Sequence, residues 1–138
     1  MAETASIAAA VDAWVAQHHE EILGWRRHLH SHPELSNEEV ETTKFLHGVL
    51  VAHGLQPVPF PGTGLYVDIG PETGERLAFR ADIDALKVTE QTGLPFASTV
   101  QGVSHACGHD VHTTVALALA CALADVDLPH GVRVIFQP

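Results

Sequence analysis

The residues with the most chemistry to offer lie together in His105-Ala106-Cys107-Gly108-His109-Asp110-Val111-His112. One Cys, three His and one Asp share eight positions. Thiolate and imidazole are ligands for zinc and for other first-row metals. Gly108 between Cys107 and His109 lets the backbone turn so that both side chains face one ion. A bound metal would itself supply the lowered thiol pKa that ligation needs. A catalytic zinc keeps about three protein ligands, so this pair needs help from elsewhere. A second cluster, Arg80-Ala81-Asp82-Ile83-Asp84-Ala85-Leu86, follows a strand-like run. Asp82 and Asp84 point the same way if the strand continues. Such carboxylates bind a metal, orient a ligating His, or simply sit in solvent at a strand end. His28 and His32 are four apart, a one-face spacing on a helix. Zinc helices with that spacing carry Glu directly after the first His, and Leu29 stands there instead. A structural role at a helix C-terminus is the better reading of that pair. Neither a Gly-x-Ser-x-Gly elbow nor a phosphate loop is present.

These clusters need elements to hold them. Ile7, Val11, Trp14, Val15, Ile22, Trp25 and Leu29 form a helical stripe that stops before Pro33. A second helix is expected after Ser36, whose spacing to Glu39 is that of a capping box, and Gly54 closes it. Prolines 57, 59 and 61 with Gly62 and Gly64 mark a loop. Residues 65–69 and 76–81, joined by a Gly-Pro turn, read as a hairpin. Residues 87–104 read as a long loop, a length that is usually functional or covered by something else. Residues 108–124 are apolar nearly all round, which predicts a buried helix. Residues 132–136 then read as a buried-type strand. The order predicts an α/β sandwich with a mixed sheet. We expect exposed apolar surface along 132–136 and poor solubility of the chain alone.

Composition bounds the function. The 138 residues carry a formal charge of −10. That argues against a nucleic-acid partner, which requires a basic patch. Hydrophobic residues make up 46% and charged ones 17%, enough apolar content for a core and against an acidic disordered tail. The length fits one domain. No run is apolar enough to span a membrane, and the first ten residues lack the basic start of a signal peptide. Two cysteines form no disulfide framework, so a reducing cytoplasm is expected.

From about residue 25 to the end, the motifs resemble one family. Arg26-Arg27-His28-Leu29-His30-Ser31-His32-Pro33-Glu34-Leu35, Glu38-Glu39, the Arg80–Leu86 run, Thr92-Gly93-Leu94-Pro95-Phe96 and His105–Asp110 come in its order and spacing. The chain resembles the metal-dependent amidohydrolases of the hippurate hydrolase type. These include N-acyl-amino-acid amidohydrolases and auxin-conjugate hydrolases, within the aminoacylase–carboxypeptidase superfamily of two-metal peptidases. The resemblance implies a three-layer, mixed-sheet, zinc-peptidase-like catalytic domain, of which residues 1–138 are the N-terminal part. The family's dimerisation domain is then absent from this chain. It implies Cys107 and His109 as metal ligands, with Asp82, Asp84, Asp110 and His112 around them or toward the substrate. No catalytic residue falls in this chain: the general-base Glu is expected just after Pro138. Lys87 departs from the proline usual in the family after Asp-Ala-Leu.

The intact protein is thus expected to hold two divalent ions, Zn, Mn, Co or Ni. It would hydrolyse the amide of small N-acyl amino acids or dipeptides through an activated water. It would act as a cytoplasmic homodimer without membrane or nucleic-acid partners, and the chain alone would be inactive. Two other readings stay open at this point. One is a complete small metal-binding or regulatory protein that keeps the Cys/His pair. The other is a subunit completed by a separate chain.

Overall fold

The computed structural model describes residues 2–138, with side chains described from Ser6 onward. The long N-terminal stripe forms two helices rather than one: α1 (Ala2–Gln17) and α2 (His19–Ser31). They meet at His18, whose Nδ1 bonds the Trp14 carbonyl at 2.8 Å and whose ring stacks on Trp14 at 3.9 Å. Helix α3 spans Val40–Ala52. Its expected capping box is not made: Glu39 stands at the N-cap position and the helix has no side-chain cap from that residue. Instead the Glu34 carboxylate accepts the Glu41 and Thr42 backbone N–H groups, at 3.0 and 2.5 Å. Gly54 follows the helix with φ +79°, the left-handed closure expected of it.

A two-residue strand β1 (Val58–Pro59) lies within the expected proline loop. Strands β2 (Leu65–Ile69) and β3 (Arg76–Asp82) form where alternation predicted them. They are not a hairpin. Strand β4 (Gly131–Gln137) inserts between them, giving the order β1-β2-β4-β3. β4 runs antiparallel to β2 and parallel to β3. The parallel pair needs a crossover, and the loop 87–104 with helix α4 (His109–Leu123) supplies it.

The period-two alternation sends Leu65, Val67, Ile69, Val134 and Phe136 to one face. Each is at most 5% exposed. Helix α4 lies against this face through Ala116, Leu117 and Ala120, all fully buried. Its small residues permit close approach. Trp25, Leu46 and Leu50 from α2 and α3 complete the same cluster. The opposite face shows Tyr66, Arg133 and Ile135 half-buried and Asp68, Ala78 and Arg80 exposed, so these residues supply one helical layer and the sheet. The expected exposure along 132–136 is overturned, because β4 is the inner strand; Val134 and Phe136 are fully buried. Exposed apolar side chains lie on edge strand β3 instead, with Leu77 69% and Phe79 39% exposed. Among the described residues no helix is long and apolar enough to cross a membrane.

Candidate metal centre

The candidate site forms where β3 ends and α4 begins. At the end of β3 the chain stays tied to β4 by Ile83 N–H to the Gln137 carbonyl, 2.9 Å. Ala85 N–H then bonds the Glu34 carbonyl at 2.8 Å. These bonds fix Asp82 and Asp84 on either side of the buried Ile83. From the other direction, the loop closes onto Leu86 through paired backbone bonds with Ser104, both 3.0 Å. Gly108 then turns the chain into α4 at φ +85°, a left-handed conformation that costs an L side chain about 1–2 kcal/mol. Thr113 Oγ donates to the Asp82 carbonyl at 3.1 Å and locks the helix to the strand end.

This packing brings four sequence-predicted residues together. His109 Nδ1 lies 2.9 Å from Asp84 Oδ1 and 3.0 Å from the Asp84 carbonyl. Both partners are acceptors, so Nδ1 carries the proton and Nε2 presents its lone pair. The Cys107 thiol reaches the same Asp84 carbonyl, with Sγ at 3.9 Å, and is exposed. Asp82 Oδ2 stands 4.0 Å from His109 Nε2. Its other oxygen is held by Arg80 at 2.8 Å. Among the described residues, no three His, Cys, Asp or Glu side chains are gathered so that they could hold a metal ion. The donors therefore fit part of a metal site: one exposed thiol and one imidazole in the ligating tautomer, short of a closed set.

The other two residues are placed differently. The His112 ring lies 6.2 Å from that of His109, centroid to centroid, on the exposed side of α4. Asp110 is 1% exposed and turns inward. Its Oδ2 accepts from His30 Nδ1 at 2.7 Å and meets Arg26 Nε at 3.2 Å. His30 and Arg26 were invisible to motif reasoning as site residues, since their partner lies some eighty positions along the chain. His28 and His32 stack on each other at 4.4 Å, away from the site, and His28 stacks on Phe45 at 4.2 Å. Burial and then the neighbouring His32 push His28 below the ordinary histidine range. His105 is 5% exposed, with no hydrogen-bond partner on either ring nitrogen. Burial lowers its pKa, against the opposing pull of Asp110.

A model of peptidase family M20/M25/M40 matches residues 78–138, the stretch that carries Asp82, Asp84, Cys107 and His109. Over these residues the chain is similar to the M20 family. Among curated relatives, the N-acetyl-L-cysteine deacetylase of Bacillus subtilis (strain 168) is 48% identical over 122 residues. That match takes in 86% of this chain and 29% of the relative. A solved M20 structure from the same species, described as a dinuclear metal-binding peptidase, superposes with TM-score 0.78 at 46% identity. It shares 89% of this chain and 36% of its own. A Rhodococcus jostii (strain RHA1) protein bearing a glutamate–cysteine ligase name is 58% identical over 118 residues. Those residues are 85% of this chain but 15% of that protein, so its name describes a molecule of which the shared part is small. The chain spans between 15% and 36% of the length of these three relatives.

Proposed function

We propose that residues 1–138 are the N-terminal, ligand-bearing part of the catalytic domain of a metal-dependent amidohydrolase. Its substrates are small N-acyl amino acids or dipeptides. The observation that carries this reading is the meeting of Cys107 and His109 at Asp84, with Asp84 holding His109 Nδ1 at 2.9 Å. The kinship to an N-acetyl-L-cysteine deacetylase supports the substrate class. Divalent ions, when bound, polarise an amide carbonyl and lower the pKa of water. Within this chain, Cys107 and His109 would hold such an ion. Asp84 fixes the His109 tautomer and ring direction, and Asp82 lies beside the free nitrogen. Gly108 gives the turn that lets both ligands leave the same side of the backbone. The reading assigns no general base to these residues, so the chain alone is inactive in hydrolysis.

Two ions drawn from zinc, manganese, cobalt or nickel, a homodimeric assembly and a cytoplasmic location complete the proposal for the intact protein. The unpaired Cys107 and Cys121 suit a reducing compartment. The test is an assay of the full gene product on N-acetyl amino acids, with and without chelator. Release of free amino acid should require metal, and Cys107→Ala should remove bound metal and activity together. Hydrolysis that survives chelation, or stoichiometric metal retained by the variant, would overturn the assignment. A second reading, a metal-binding subunit without catalysis of its own, draws on the incomplete donor set among the described residues. It predicts metal uptake with no hydrolysis in the same assay.

A further inference from the structure

We propose that His30 is a positioning residue for the metal centre: an imidazolium clamp that fixes the Cys107–His109 turn from behind. The proposal rests on the metal-centre reading above. Three elements converge on this one buried side chain. His30 comes from the last turn of α2 and is 8% exposed. Its Nδ1 meets Asp110 Oδ2 at 2.7 Å, on the first turn of α4. Its Nε2 meets Glu90 Oε1 at 3.0 Å, in the long loop. Both nitrogens face carboxylate oxygens, and carboxylates at these distances accept. Two simultaneous hydrogen bonds therefore require a proton on each nitrogen. A neutral ring would turn one lone pair toward an anionic oxygen.

The charges around the clamp balance. Arg26 and the His30 imidazolium face Asp110 and Glu90. Glu90 stays an anion, because Thr92 Oγ, His30 and the Ser98 backbone N–H all bond it. His105, the other titratable ring nearby, is held toward its neutral form by burial. Charged pairs with both partners buried act as fixed struts, since losing one partner strands the other.

What the clamp fixes is the approach to Cys107. The loop is pinned to α2 twice more: Thr99 N–H and Oγ both donate to the Ser31 carbonyl, at 2.9 and 2.7 Å. Phe96 lies edge-on to His30 at 5.7 Å and under Arg26 at 5.1 Å. The chain from Glu90 to Asp110 is therefore anchored on His30 at both ends, and Cys107 and His109 lie just before the second anchor. A ligand pair on a turn owes its geometry to such supports, and removing outer supports of a metal site typically costs 10–100-fold in affinity.

The experiment titrates Co²⁺ into the metal-free full gene product and follows the thiolate-to-cobalt charge-transfer band, with urea denaturation run in parallel. The parent is expected to show the band and Cys107→Ala to lack it. His30→Gln, folded by circular dichroism, is expected to bind Co²⁺ at least about tenfold more weakly with a diminished band. Glu90→Gln leaves α2 and α4 untouched and is expected to weaken binding by a smaller factor in the same direction. It stands as the deciding variant if His30→Gln does not fold. A structural role alone would lower the denaturation midpoint and leave Co²⁺ affinity of the folded protein unchanged. That result in the readable variant overturns the clamp while leaving the metal centre intact. A parent with no band overturns the metal-centre reading, and the clamp with it.

Discussion

Cys107 and Cys121 are the same side chain in opposite surroundings. Cys107 is exposed on the turn into α4, whereas Cys121 is 3% exposed in the core. Burial, aided by the charge of Glu21, pushes the Cys121 thiol up to about 12, so it stays protonated and unreactive. A thiol reagent should therefore label one cysteine in the native protein and the second only after unfolding. Added Zn²⁺ should slow the first reaction; labelling indifferent to metal would count against Cys107 as a ligand. Asp84→Asn should weaken metal binding about 10–100-fold by removing the charge behind His109. Gly108→Ala meets open space, so its cost is the left-handed backbone alone, about 1–2 kcal/mol by urea denaturation. The Cys107-Gly108-His109 turn was legible in sequence because its ligands and its glycine are neighbours. The His30–Asp110 contact was not, because motif reasoning sees spacing within a segment and not which segments meet.

Elements were legible as elements and illegible as partners. Alternation marked 65–69 and 76–81 as strands, and the short turn between them suggested pairing. The pairing that wins places β4 between them, because its buried Val134 and Phe136 need neighbours on both sides. The α3 cap teaches the same point. Ser36 had the right spacing to Glu39, but the helix's free N–H groups are taken by Glu34 from outside the helix. Glu34→Ala should cost about 0.5–2 kcal/mol in denaturation, the range for a lost cap, and Ser36→Ala almost nothing. Equal effects would restore the capping box. Gly64 shows what packing adds to backbone strain. A Cβ there would lie 2.6 Å from the Phe136 carbonyl oxygen, at φ +78°. Gly64→Ala should therefore destabilise more than Gly108→Ala, whose site is open.

At the scale of the molecule, acid should act through Glu90. Its carboxyl is pushed down to about 2 from an ordinary 4.5, first by Thr92 Oγ, then by His30 and the Ser98 N–H. The unfolded chain takes up that proton first, so the contribution is full above about pH 4.5 and is lost toward about pH 2. The stability gap between the parent and Glu90→Gln should shrink across that window, followed by urea midpoints at stepped pH. A gap that stays constant would mean that the carboxylate's charge is not what matters.

The sheet also has an order in time. Among the described residues β2 pairs only with β1 and β4, and β3 only with β4. Leu65 meets Phe136, seventy-one positions later, and Ala81 meets the same residue across fifty-five. Contacts this distant are slow to form, because a long loop must close first. On the ribosome, β2 and β3 emerge with no mutual bond to make and must wait for residues 131–137. During that interval Leu65 and Val67, buried in the finished fold, lack their β4 partners, and the helices have no floor to settle on. This is a chain whose architecture is withheld until one strand arrives, with its unpaired strand edges open to aggregation until it does.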